Sequence, residues 1–272
     1  MNEIIIEPNK SLKDFWIELW SYRELFYFLA WKDILVRYKQ TVIGIAWSVI
    51  RPLLSMIILT IVFGRVADLP SGGAPYPVLV FVAMLPWQFF SNTLSTSSNS
   101  LIVNVNMITK IYFPRIIIPS TSMVVSLVDF VISFAILIIL MFCYHSWPDW
   151  RIIVLPLLLL LAALTSLGAG YWICAMNVKY RDFRHIVPFI IQFGLYASPV
   201  GFNSNLIPEK WRLIYSLNPM VGVIDGFRWA LLGSEGQLYL PGFLISIGIA
   251  VVLFISGTWF FTKTERKFAD II

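Results

Sequence analysis

Apolar residues in this chain gather into long runs, and the charged residues fall almost entirely between them. Six runs stand out, at 41–66, 77–101, 116–142, 152–176, 186–202 and 243–261. A helix rises ~1.5 Å per residue and a bilayer core is ~30 Å thick, so about 20 apolar residues cross it. All but one of the runs meet that length; 186–202 is shorter and is interrupted by Pro188 and Pro199. The pattern predicts an all-α integral membrane protein with six transmembrane helices.

Basic residues set the expected orientation. With a cytoplasmic N-terminus, 15 of the 20 Lys and Arg lie inside, and only Arg65, Arg151, Lys210, Arg212 and Arg228 lie outside. That is the asymmetry of the positive-inside rule, and an even span count returns both termini to the cytoplasm. The first residues carry acids and open no apolar stretch, so no cleaved signal peptide is expected. The net charge of +5 is therefore suited to anionic headgroups or an acidic partner surface, and no nucleic acid is expected. Cys143 and Cys174 lack CxxC spacing and have no His cluster nearby, which favours packing over redox or metal chemistry.

Residues 11–40 are too charged to cross a membrane and too aromatic for a soluble tail. Trp16, Trp20, Tyr27, Trp31, Ile34 and Tyr38 recur at helical spacing on one face, with Lys32, Asp33, Arg37 and Lys39 elsewhere. This predicts an N-terminal amphipathic interface helix, aromatics at headgroup depth and charges toward water. Arg51 is expected to snorkel near the inner face, with Pro52 in the first turn of the first span. The run after Trp87 differs from its neighbours. Gln88, Asn92, Ser95 and Asn99 form a polar stripe that lipid would leave without hydrogen bonds. It must face another helix or a hydrated path. Asp129, the lone acid of the third run, is a functional candidate by default, or else a helix–helix hydrogen bond.

Two connections read as stiff cytoplasmic elbows: 104–119, where Pro114 and Pro119 fix the bends, and 177–184. On the outer side, 214–232 is broken by Pro219, Gly222 and Gly226. It suits a re-entrant or interfacial element better than a seventh span. Asp225 and Arg228, three residues apart, are expected to neutralise one another there. The chain carries no GxxxxGK[ST] loop, HExxH or GxSxG, so neither a phosphate cradle nor a hydrolytic centre is expected. These features describe a passage without a motor. A membrane enzyme acting on polyprenyl-linked sugars is the rival reading, and Arg181 with Asp182 is the only pair that tempts it.

Five stretches resemble one family: 29–54 (LAWKDILVRYKQTVIGIAWSVIRPLL), 85–92 (LPWQFFSN), 108–119 (ITKIYFPRIIIP), 177–202 (NVKYRDFRHIVPFIIQFGLYASPVGF) and 218–228 (NPMVGVIDGFR). In this order they resemble the membrane subunit of type-2 ATP-binding-cassette exporters, in the branch that exports lipid-linked O-antigen, capsule and teichoic acid. The resemblance implies a homodimer with two copies of a separate ATPase, which binds ATP and Mg, so this chain would hold no cofactor. Its parts would be a cytoplasmic N-terminus (1–40), a membrane domain (41–262) and a cytoplasmic tail (263–272) in the bacterial inner membrane. The ATPase would meet Trp31, Arg37, Lys110, Tyr112, Phe113, Pro114 and Arg115, with Tyr180, Arg181 and Asp182 on the second elbow. The outer segment, with Asn218, Pro219, Asp225 and Arg228, would be a periplasmic re-entrant hairpin acting as a gate. Amides and hydroxyls suit sugar rims and aromatic faces suit their flat sides. The path would thus use Trp87, Gln88, Phe89, Phe90, Asn92, Ser95 and Asn99, with Asp129.

Overall fold

A computed structural model describes residues 12–39, 44–180, 182–233 and 238–265, and every regular element among them is helical. Two short helices come first, α1 (Leu12–Ser21) and α2 (Arg23–Lys39), separated at Tyr22. Next comes α3 (Gly44–Leu59), which continues into a π-helical turn, Thr60–Val66. Then follow α4 (Tyr76–Val103), α5 (Val105–Ile108), α6 (Ile117–Cys143) and α7 (Leu155–Lys179). The chain ends with α8 (Phe183–Ala197), α9 (Glu209–Tyr215), α10 (Pro219–Leu232) and α11 (Leu240–Glu265).

Among the described residues, five stretches are long and apolar enough to cross a membrane: Ala46–Val66, Tyr76–Val103, Ile117–Cys143, Trp150–Lys179 and Leu240–Glu265. The fifth run of the sequence becomes α8, whose 15 residues span about 22 Å, short of a ~30 Å core. Pro188 sits inside it, and backbone beyond Ala197 leaves the helix before Pro199. Pro52 departs from its expected place. The helix starts at Gly44, so Pro52 lies in its interior and Arg51 stands exposed, its guanidinium 5.6 Å from the Trp47 ring. The sequence signal for Pro at a helix start is real, but nothing local halts the helix upstream of it.

The bundle is built around α4, nearly all of whose first half is buried. Contacts give the helix directions. Ser100 meets Cys174 and Asn177 meets Ser98, while Trp172 meets Ser256 and Tyr171 meets Phe261. So α4, α7 and α11 run parallel. Their C-terminal ends, the start of α6 and helix α2 therefore share one end of the molecule. Close approach of α7 and α11 rests on two glycines: a Cβ on Gly168 would lie 2.6 Å from the Leu253 backbone carbon, and one on Gly257 would strike the Gly168 carbonyl oxygen. Small residues let membrane helices touch backbone to backbone, where van der Waals packing replaces the hydrophobic drive.

Two apolar clusters result. The larger joins Val78–Leu85 of α4 to Leu137, Leu158, Ile224 and Phe227. The smaller, at the common end, joins Leu29, Leu101, Ile108, Phe113, Tyr171 and Phe261.

Candidate translocation and coupling sites

On α4 the polar stripe stays half open. Gln88, Asn92 and Asn99 are partly exposed and Ser95 is exposed, as is Thr96 beside it, although this helix is otherwise the most enclosed of the long spans. Asn99 is the best satisfied: its amide donates to the Ser95 carbonyl (3.1 Å) and its Oδ1 accepts from Asn177 Nδ2 (3.2 Å). The aromatics beside the stripe are packed rather than presented. Trp87 is buried 5.3 Å from Phe90 and lies against Gly194 of α8, and Phe89 meets Phe130 edge-on. Open aromatic faces come instead from α8. There Phe189, Phe193 and Tyr196 are exposed, the first two with rings 4.1 Å apart. Their spacing along 186–202 is present in the sequence, but a run whose polar residues are only Gln192 and Ser198 gives little sign of which face is turned outward.

Asp129 sits well along α6 and reaches neither the stripe nor solvent. Its carboxylate takes an ion pair from Arg37 Nη2 (2.5 Å) and hydrogen bonds from Tyr38 OH (2.5 Å) and Ser48 Oγ (3.4 Å). Burial, then the Asp129 carboxylate, raise the Tyr38 hydroxyl from 10.0 to about 12, so it remains a donor at any physiological pH. The neighbouring charges of α2 turn the same way. Lys32 Nζ donates to Asn104 Oδ1, and Asp33 accepts from Thr121 Oγ1, both at 3.5 Å. The sequence reading aimed these charges at water. Lys32, Asp33 and Arg37 reach α4 and α6 instead, because the partners lie far along the chain, though each keeps over a third of its side chain open; Lys39 stays exposed, as do Trp20, Tyr27 and Trp31. The side chain of Trp16 lies outside the described residues.

At the common end, the first elbow divides its labour. Lys110 and Tyr112 are exposed, while Phe113 and Pro114 are buried, Phe113 within the smaller cluster. Arg115 is fixed by the tip of α11: its backbone N–H donates to Glu265 Oε1 (2.6 Å) and its Nη1 to the Glu265 carbonyl (3.2 Å). Tyr180 is exposed beneath Lys179, 4.9 Å from ring centre to Nζ, and Asp182 is exposed; Arg181 lies outside the described residues.

At the far end, α10 is buried along almost its whole length. Asn218 caps it, accepting from Met220 N–H (3.1 Å) and donating to Ser198 Oγ (2.9 Å), with Pro219 in the first turn. Asp225 and Arg228 form no ion pair with one another among the described residues. Arg228 donates to the carbonyls of Phe202 (2.7 Å) and Val200 (3.2 Å), and Asp225 accepts from Ser204 Oγ (2.6 Å). Together they fasten the strap 198–204 across the bundle. Their i, i+3 spacing still lets each charge favour the other through space, while two backbone carbonyls take the guanidinium's hydrogen bonds. Burial lifts the Asp225 carboxyl from 3.8 to about 6.

Residues 24–232 match the family described as ABC-2 type transporter. The chain belongs to that family. Among curated proteins this ABC-2 chain is similar to the O-antigen export system permease protein RfbA of Myxococcus xanthus, 27% identical over 94% of this chain and 98% of that one. It is also similar to the RfbA permease of Klebsiella pneumoniae, 29% identical over 89% and 92% of the two chains. The polysialic acid transport protein KpsM of Escherichia coli is 23% identical over 86% and 91%. Within this ABC-2 fold, sequence reasoning missed Tyr38, Ser48, Asn177 and Glu265. Only Tyr38 carried a local signal, its place on the aromatic face of α2; the others become visible when distant helices meet.

Proposed function

We propose that this chain is the permease subunit of an ATP-driven exporter that carries a lipid-linked polysaccharide, an O-antigen first of all, across the bacterial inner membrane. The observation that carries the reading is the half-open row of amides and hydroxyls on α4, otherwise the most enclosed of the long spans. Amide and hydroxyl groups match sugar rims, and a lipid-facing row would go unsatisfied. Relatives named as O-antigen export permeases, matched over nearly their whole length, support the substrate class.

On this reading two copies face each other across the stripe and the open aromatics of α8, since one bundle is small for a polymer conduit. Helix α8 with the strap after it forms a sixth span, α9 and α10 form a re-entrant hairpin on the periplasmic side, and both termini are cytoplasmic. Two copies of a separate ATPase, holding ATP and Mg, dock beneath Lys110, Tyr112, Arg115, Tyr180 and Asp182. The chain itself is not an enzyme.

Reconstitution in proteoliposomes tests this. ATP turnover and glycan export should both require the chain together with its ATPase; turnover by the isolated chain refutes the assignment. A capsule-type glycan is the second reading, favoured by the similarity to the polysialic acid transport protein. Competition between lipid-linked O-antigen and polysialic acid for the reconstituted exporter separates the two.

A further inference from the structure

The joint between α1 and α2 roofs a groove of about 330 Å³, within the size of ordinary small-ligand sites. Leu19, Trp20 and Phe26 form the roof, and Ile117 and Phe254 form the walls. Its polar features are few. Ser120 and Tyr171 share a hydrogen bond of 2.8 Å on the floor, which leaves that surface self-satisfied, and Thr258 Oγ1 is spent on the Phe254 carbonyl. One charge stands at the groove, the guanidinium of Arg23, which among the described residues has only the Trp20 carbonyl (3.5 Å) and the Trp20 ring (5.8 Å) for company. Depth is readable from the helices. Phe254 lies 11 residues before the end of α11 and Tyr171 lies 8 before the end of α7, about 16 and 12 Å from the common end. The cavity therefore extends from headgroup level into acyl-chain level of one leaflet.

We propose that this groove holds one acyl chain of an anionic phospholipid of the cytoplasmic leaflet, with the lipid phosphate on Arg23. An apolar slot opening at membrane depth beside a single cation at headgroup height complements such a lipid in both shape and charge. The lipid would pin the α1–α2 joint against α6, α7 and α11, on a face of the bundle separate from the polar stripe. The inference rests on the inward orientation proposed above and is independent of polymer export.

The test uses the full chain in nanodiscs of phosphatidylethanolamine doped with phosphatidylglycerol carrying a photoreactive acyl chain, with crosslinked peptides mapped by mass spectrometry. Labels are expected on 19–26 and 254–258. They should fall about fivefold in Arg23→Gln, the factor that one basic residue contributes at a lipid surface. Arg23→Lys should restore them. Thr258→Trp, which fills the slot, should abolish them with Arg23 intact, guarding against a misfolded Arg23 variant. Equal labelling by phosphatidylcholine of the same chain length, or labelling indifferent to Arg23→Gln, overturns the proposal in favour of unselective annular lipid. Preferential capture of a photoreactive polyprenyl phosphate at these peptides overturns it in favour of a substrate-lipid site. Absent export with intact labelling would refute the exporter reading alone.

Discussion

Replacing Asp129 with Asn removes one charge from the joint between α2 and α6 while keeping the shape of the side chain. The carboxylate is largely buried, its side chain 12% exposed, and Arg37 opposite it is 37% exposed. Breaking a buried pair from one side costs about 3–5 kcal/mol, because the remaining charge is stranded. Arg37 keeps over a third of its surface open and recovers part of its hydration, which brings the expectation to about 2–3 kcal/mol. The hydrogen bonds cannot supply that much. Interhelical hydrogen bonds in membranes average about 0.6 kcal/mol, and the Ser48 contact at 3.4 Å is a long one.

Thermal unfolding of the purified chain in one fixed detergent measures the effect. A loss of 2–3 kcal/mol corresponds to roughly 5–10 °C in a chain of this size. Arg37→Met should cost a similar amount by stranding the carboxylate instead. The double variant Arg37→Met with Asp129→Leu should be milder than either single change, since an apolar pair of similar volume replaces an ion pair at little net cost. A cycle in which the two single effects simply add would show that the pair carries no interaction energy, and the account of this joint would be wrong.

Three further outcomes follow from the geometry. Tyr112→Ala should cut ATPase-coupled export with little change in melting temperature, whereas Phe113→Ala should cost about 3–5 kcal/mol from the smaller cluster; paired melting and export assays on the two variants check this. Gly168→Val should prevent stable folding, because the added carbon meets the Leu253 backbone at 2.6 Å and no side chain can yield; a monodisperse gel-filtration peak for this variant would contradict the packing. Because burial raises Asp225 from 3.8 to about 6, the fold favours its protonated form. That contribution is fully present below about pH 4 and is lost as pH rises through about 6, on the order of 3 kcal/mol in all. Melting temperature should therefore rise on acidification from pH 7 to 5, and Asp225→Asn should flatten the rise.

What the sequence revealed and what it withheld divide along a physical line. The stripe Gln88, Asn92, Ser95 and Asn99 was legible because 4, 3 and 4 residue steps are a property of one helix. The lengths of the five long spans were legible for the same reason, and so was the helical form of α2. Its inward charges were not: Arg37 and Asp129 are 92 residues apart, and no local pattern distinguishes a charge seeking water from one seeking a distant carboxylate. The same limit applies to Asp225 and Arg228. Their spacing on one helix turn suggested a pair, while the strap carbonyls that capture Arg228 lie 26 and 28 residues away. Phe113 and Tyr112 looked alike as neighbours on an elbow, and only the fold buries one and bares the other.

Helix α4 connects these parts in a way neither cluster does alone. Its Leu94 belongs to the larger core and its Leu101 to the smaller one, and the polar segment lies between. Within that segment Thr96, Ser97, Ser98 and Ser100 each donate to a carbonyl three or four residues back along their own helix. Such back-bonding weakens and bends helices. The smaller core meanwhile ties Phe113 of the first elbow, Leu29 of α2 and Phe261 of α11 into one packed body, with Arg115 fastened to Glu265. If the proposed ATPase docks on that body, a displacement it imposes would pass through close-packed side chains to the segment 95–100, where the back-bonded hydroxyls loosen α4. On the proposed reading the bend therefore falls at the polar stripe, placing the compliant part of the molecule where the polymer would pass.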